Sequence, residues 1–466
     1  MSRIARWGPS LFFVLLLAAC SASLPPIDQA RIPATPEAFK EGDGRWTLAA
    51  PADAQPRGEW WKAFSDPVLD GLVERADRNN TSIQVAGARL AQARAFLRAT
   101  DAERAPQIGA SAGAARAGGI VNGVGGPARG LFSAGADLSY EVDLFGRLAQ
   151  ASDAAKLDVQ AREGLLQSAR LLVQAEVAQT YLALRAIDAE RVLVRGTVNA
   201  YQETLSLTER RYRAGDVAEL DVARARTEVA ATESDALALD RRRAELEHLL
   251  AVLVGEAASA FAVAPAEWST ALPVIPAGVP GTVLSRRPDV SAAQRTMLAA
   301  QTRVGVAKAA WFPSVNLTAT GGYASPDLGD LFKWSSRAWG VGALLSLPVF
   351  DGGRRDAGIQ NAGAELDVTV ARYREQILAA FQDVEDQLSS LRLLAEQAEA
   401  QDRAVSSAAR STALSQVRYR NGYVSQLDLL DAQRSELRNR RQALQVRSAQ
   451  YQSTVALVRA LGGGWN

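Results

Sequence analysis

The sequence predicts a membrane protein of mixed α+β class, built from two internal repeats. Three observations carry that prediction. The chain is written twice: Ala105-Pro106-Gln107-Ile108 is answered by Phe312-Pro313-Ser314-Val315, and Phe145-Gly146-Arg147 by Gly352-Gly353-Arg354. Likewise Arg211-Tyr212-Arg213-Ala214-Gly215 is answered by Arg418-Tyr419-Arg420-Asn421-Gly422, always 207 positions apart (313 − 106). One offset shared by separate motifs marks two copies of one structural unit. Four segments alternate between apolar and polar residues. Each copy also holds a proline-free stretch too long for an ordinary globular helix.

The strands come first. Gln107–Ala114 sets Ile108, Ala110, Ala112 and Ala114 on one face, and Phe132–Asp143 sets Phe132, Leu138, Tyr140 and Val142 on one face against Ser133, Asp137 and Glu141. Ser314–Tyr323 alternates in the same way, as does the run from Trp339 to Leu347. Each run approaches the roughly 9–11 residues of a tilted membrane strand. Glycine-rich Gly118–Gly130 and polar Ser325–Ser336 read as the external loops of two hairpins. The smallest membrane barrels have about eight strands, so the four of one chain are too few. Three chains supply twelve, an even number that closes, and a homotrimer follows from the strand count.

The helices come next. Arg147–Ala214 and Gly353–Asn421 contain no proline. Each spans roughly 100 Å at 1.5 Å per residue. Leu171, Ala175, Ala178, Leu182, Ala186, Ala189 and Leu193 recur at close to one helical turn and define a seam. After glycine turns, Val217–Val254 and Ser425–Leu461 follow as shorter helices, and Thr81–Arg104 and Asp289–Ala310 precede the strand pairs. A short and a medium helix together match a long one, so the two are expected to stack end to end. Pro288 and Asp289 suit a helix start, which gives Arg286-Arg287-Pro288-Asp289 a structural role.

The amino terminus reads as a signal peptide. Arg3 and Arg6 precede an apolar run, Leu11–Ala19, that is too short to span a bilayer. Leu17-Ala18-Ala19-Cys20 resembles a bacterial lipobox, which implies cleavage before Cys20 and its lipidation; Ser21 in place of Asp favours the outer membrane. The expected divisions are 1–19 signal peptide, 20–80 lipid-anchored segment and wrap, 81–254 first repeat, 255–284 irregular connector, 285–461 second repeat and 462–466 tail. A net charge of +1 gives no field for nucleic acid, and one Cys and one His (His248) leave no basis for a disulfide, a His/Cys metal site or a His triad. No Gly-x-x-x-x-Gly-Lys-Ser/Thr loop is present. No cofactor and no enzymatic activity are expected.

The signal and lipobox, the duplicated strand–strand–hairpin units, Trp60-Trp61 and Arg286-Arg287-Pro288-Asp289-Val290 together resemble the TolC-type outer membrane efflux proteins. The likeness is to the lipoprotein branch serving resistance-nodulation-division pumps. It implies a trimer with a twelve-stranded barrel in the outer membrane, continued by a periplasmic α-helical barrel. It also implies an inner-membrane pump and a periplasmic adaptor as partners. Competing readings are a duct of the same fold for type I protein secretion, and a lipid-anchored periplasmic scaffold without a pore.

The resemblance also places functional residues. Leu427, Asp428, Asp431 and Arg434 match the family's periplasmic aperture. Asp428 and Asp431 are three apart and share a helical face, so a trimer would gather up to six carboxylates around one axis. Such a ring favours cations, and like charges raise one another's pKa. By the repeat offset Asp431 aligns with Arg224 and Asp428 with Asp221, so only the second hairpin carries the acidic pair. Asp221 and Tyr419 match positions that link neighbouring coils as a gate latch. Gly215 and Gly422, at the hairpin turns, match the tips that contact the adaptor.

Overall fold

Two helices of 67 residues each, α3 (Arg147–Arg213) and α6 (Arg354–Arg420), are the longest elements of the chain. The structure, a computed structural model, describes residues 24–41, 58–121, 124–273, 275, 283 and 286–463. In chain order the other helices are α1 (Pro67–Asn79), α2 (Thr81–Ala102), α4 (Glu219–Leu253), α5 (Pro288–Ala309) and α7 (Gln426–Ala460). The strands are β1 (Gln107–Val121), β2 (Val124–Val142), β3 (Ser314–Ser325) and β4 (Arg337–Ser346). The repeat offset carries α2 onto α5, α3 onto α6 and α4 onto α7, residue for residue at both ends. Among the described residues no helix is long and apolar enough to cross a membrane.

The chain divides into two compact units. One contains Arg89–Glu163 and Ala292–Glu375 and holds the sheet; the other contains Pro33–Ala88, Gly164–Ser291 and Gln376–Asn466. In the first unit the strands pair antiparallel in the order β1-β2-β3-β4, leaving β1 and β4 as unpaired edges. The register aligns Ile108 with Leu138, Leu138 with Ala319 and Ala319 with Val341. Paired residues share a face, so all four alternating patterns merge into one apolar surface. Ile108, Trp339 and Val341 on it are 76–78% exposed. The opposite face carries Ser111, Asp137, Ser139, Glu141, Asn316, Thr318 and Thr320.

Two expectations are corrected here. Gly118–Gly130, read as a loop, is mostly strand: β1 and β2 stay paired up to Val121 and Val124, with a register shift between Ala117 and Gly119. Glycine signals a turn in isolation, but a paired neighbour supplies the backbone hydrogen bonds whatever the side chain. The periodicity also gave no helix within 20–80, whereas Pro67–Asn79 forms α1, whose amino end is capped by the Asp66 carboxylate accepting from Val68 and Leu69 N–H.

The core of the second unit is built on the expected seam. Leu171, Ala175, Ala178, Leu182 and Ala186 are buried together with Trp60, Trp61, Phe64 and Leu69. Residues 258–271 of the connector lie against this core. Trp268 packs on Tyr451 at 4.9 Å, and the Tyr451 hydroxyl donates to the Thr270 carbonyl. Polar anchors hold the same segment. Arg185 donates to the Ala264 carbonyl at 2.9 Å and Arg243 to the Val263 carbonyl at 2.5 Å. Both guanidinium groups meet the buried Asp188 carboxylate, at 3.2 and 2.7 Å.

The expected end-to-end meeting of helices is present at two repeat-related junctions. Asn80, between α1 and α2, donates from its side chain to the carbonyl of Leu253, the last residue of α4, at 2.8 Å. In the second copy Arg287 donates to the carbonyl of Ala460, the last residue of α7, at 3.4 Å and binds Asp289 and Asp383 at 2.7 and 2.8 Å. That gives Arg287 the structural role read from Arg286-Arg287-Pro288-Asp289. Gly255 and Gly462 follow the two helix ends with φ of +74° and +89°, which suits glycine.

Candidate functional site: the hairpin tips

Each long helix turns into its partner at a glycine. Gly215 and Gly422 adopt φ of +85° and +77°, and the chain then re-enters helix at Glu219 and Gln426. The two re-entries differ. Ser425 opens α7 with a reciprocal cap: its hydroxyl accepts from Asp428 N–H at 3.2 Å, while the Asp428 carboxylate accepts from Ser425 N–H at 3.0 Å and Oγ at 2.7 Å. The equivalent of Ser425 in the first hairpin is Ala218, which provides no side-chain cap.

The four residues expected at the aperture are engaged differently. Asp428 is spent on its own helix end, and the Ser425 bonds hold its carboxyl below the usual carboxylate range. Asp431 points instead to Arg434 at 3.3 Å, and Arg434 also binds Glu228 of α4, so α4 and α7 are tied together. The hydrogen bond to Glu228 pushes the Arg434 guanidinium further up, so it stays cationic. Leu427 is 42% exposed.

Asp221 and Tyr419 are not brought together within one chain. Asp221 lies 3.7 Å from Arg224 on its own helix. Tyr419 is buried, and its hydroxyl meets Thr208 Oγ1 at 3.2 Å. Gln426 donates to the same Thr208 oxygen at 3.3 Å. Arg211 stacks 4.7 Å from the Tyr419 ring centroid and donates to the carbonyls of Tyr419 and Arg420 at 3.2 and 3.1 Å. A cation on the last carbonyls of α6 satisfies both the orphan acceptors and the helix dipole. Thr208, Arg211 and Glu228 join the site only in the folded chain. Arg211 stood inside the repeated Arg-Tyr-Arg motif, whereas Thr208 and Glu228 carry no local signal.

Capping makes a pH prediction. Asp428 has a lowered folded pKa, so its contribution is present above the unfolded value near ~3.9 and is lost as pH falls through the lower folded value. Asp428→Asn should therefore speed hydrogen exchange of the first-turn amides of α7 at neutral pH. The difference from the unaltered chain should shrink only below the ordinary carboxylate range. Equal exchange at pH 7 would show that the cap contributes nothing.

Cys20 lies outside the described residues. Among the described residues no group of three or more His, Cys, Asp or Glu is placed to hold a metal ion.

Comparison with known proteins agrees with this architecture. The sequence profile of the outer membrane efflux protein family matches residues 72–256 and again 279–463, the same spacing as the internal repeat. The probable efflux pump outer membrane protein TtgC of Pseudomonas putida is 34% identical over 424 residues, covering 90% of this chain and 87% of that protein. The cation efflux system protein CusC of Escherichia coli is 30% identical over 454 residues, covering 97% and 98%. The solved outer-membrane channel OprN superposes with a TM-score of 0.88 at 29% identity, covering 95% of this chain and 99% of that one. These relatives are channel and pump components rather than enzymes. The chain therefore belongs to the outer membrane efflux protein family and is an outer membrane channel of an efflux pump.

Proposed function

We propose that three copies of this chain close one twelve-stranded barrel and act as the passive exit duct of a tripartite pump. A periplasmic adaptor and an energised inner-membrane pump would complete the assembly. The observation that carries this reading is the sheet: four strands with one continuous apolar face, one polar face and two open edges. Open edges do not survive in hydrocarbon, because each unpaired backbone group there costs several kcal/mol. Joining β4 of one copy to β1 of the next removes every edge, turns the apolar face to lipid and encloses a polar lumen. Lipidation at Cys20 tethers the chain to the same membrane.

At the opposite end, the tips at Gly215 and Gly422 meet the adaptor. Leu427, Asp428, Asp431 and Arg434 line the aperture, and Asp221 and Tyr419 link neighbouring coils as the gate latch. Tyr419 reaches Asp221 only by releasing Thr208, to whose Oγ1 its hydroxyl donates because Thr208 gives its own proton to the Thr204 carbonyl. Planar-bilayer recording tests the reading. The trimer should pass current, with block by multivalent cations. Asp428→Ala with Asp431→Ala should weaken that block on the order of tenfold, since about 1.4 kcal/mol of lost ring attraction suffices. In the same recordings Tyr419→Phe should raise the resting conductance. Absence of current sinks the duct; unchanged block removes the two carboxylates from the aperture.

A further inference from the structure

We propose that each junction between neighbouring copies binds a phosphate-bearing lipid headgroup of the outer leaflet, through Arg116 of β1 and Arg337 of β4. The proposal rests on the three-copy barrel above.

Both arginines lie on the apolar face. Arg116 follows Ile108, Ala110, Ala112 and Ala114 at even spacing, with no register shift before Ala117. Arg337 pairs with Tyr323, which shares a face with Leu317 and Ala319. Both side chains are exposed, and among the described residues neither meets a carboxylate. Bare guanidinium groups on a lipid-facing surface are costly at the bilayer midplane and nearly free of cost near its boundary. Their height decides which applies. From Leu345 to Arg337 a strand rising ~3.3 Å per residue at a ~40° tilt climbs roughly 20 Å, close to the outer limit of a band ~25 Å tall.

The surroundings are those of a membrane–water interface. The Arg337 guanidinium sits 3.8 Å from the Trp334 ring centroid. Phe332 packs edge-on against Tyr323 at 5.6 Å. Trp334 and Phe332 are 73% and 72% exposed, as interfacial aromatics are. Lys333 is already engaged by Asp330 at 2.6 Å, which leaves Arg116 and Arg337, among the described residues, as cationic groups of this face without a carboxylate partner.

Closure brings them together. β1 and β4 are antiparallel to each other by the alternation of the sheet, so a β1 edge can pair with a neighbour's β4. Apolar positions are even-numbered in β1 and odd-numbered in β4. Aligning the strand ends that meet the helices, Gln107 with Ser346, keeps both apolar faces outward and sets Arg116 opposite Arg337. Directly opposite like charges destabilise a strand pair. A phosphate between them removes the repulsion and accepts paired N–H bonds from two planar guanidinium groups. Because this corner faces lipid rather than lumen, the membrane supplies the anion.

Native mass spectrometry of the detergent-extracted channel tests the proposal, with bis-phosphorylated lipid A as the probe and its dephosphorylated form as the control. The trimer should retain the phosphorylated lipid up to one molecule per junction, and the dephosphorylated form on the order of tenfold more weakly, the equivalent of about 1.4 kcal/mol. Arg116→Gln with Arg337→Gln should abolish the preference, and Arg116→Lys with Arg337→Lys should restore part of it. Equal retention of the two lipids by the unaltered trimer overturns the proposal, and that result does not depend on how the variants fold. A monomeric mass would instead overturn the barrel itself, so the two failures are distinguishable.

Discussion

Asp188→Ala is expected to destabilise the helical unit by about 3–5 kcal/mol, the cost of breaking a buried ion pair from one side. Asp188 is 4% exposed and accepts from Arg243 at 2.7 Å, Arg185 at 3.2 Å and Arg191 at 3.3 Å. Arg185 is equally buried and among the described residues meets no other carboxylate, so removing Asp188 leaves its guanidinium in the core without a counter-charge, while Arg243 keeps Glu247 and Arg191 keeps Asp240. These two arginines also hold the carbonyls of Val263 and Ala264. Proteolysis within 258–271 should therefore accelerate along with the loss of melting temperature. Asp240 provides the control. It pairs with Arg191 and Arg195 but is far more open to water, and Asp240→Ala should cost at most ~1 kcal/mol. Circular dichroism melts of both variants check the contrast. Equal effects would mean that Asp188 is not the centre of the network.

Gly255→Ala is expected to be nearly as damaging. The left-handed conformation alone costs an L-residue about 1–3 kcal/mol. Here an added Cβ would also lie 2.5 Å from the Asn79 carbonyl oxygen, a backbone atom that moves only if the junction opens. Gly462 repeats the arrangement, with 2.8 Å to the Arg286 carbonyl oxygen. Gly215 has a similar φ of +85° but nothing within 4 Å, so Gly215→Ala bears only the conformational term. Denaturant unfolding should rank Gly255→Ala and Gly462→Ala below Gly215→Ala in stability. If all three fall together, the close approach is not what glycine is needed for.

Features that repeat along the chain were legible in the sequence. Alternation over Phe132–Asp143 fixed which side chains share a face, and the 207-residue offset fixed where each helix recurs, because both depend on neighbours in sequence. What stayed hidden depends on distant partners or on short signals. Arg243 and Asp188 are 55 positions apart, and no periodicity announces their pairing. The helix Pro67–Asn79 is too short for a sustained pattern, although Asp66 and Pro67 in retrospect mark its start. The charge of Asp428 points to an aperture, whereas its first engagement is with the backbone of Ser425 three residues back. A helix cap is local, and Ser-x-x-Asp was there to be seen. Tyr419 and Thr208 required the folded packing of two hairpins, which sequence spacing does not specify.

The exact correspondence of the two copies constrains how such a chain can evolve. One extra residue in α3 would rotate everything beyond it by about 100° and advance it about 1.5 Å. Seam residues would then turn to water, and the tip of one hairpin would fall out of step with the other. Indels in the stalk are therefore tolerable only as compensated sets: whole turns, entered in both repeats and in both arms of each hairpin. Stalk length should vary among relatives in coordinated jumps, while point substitutions accumulate freely on the exposed helix faces.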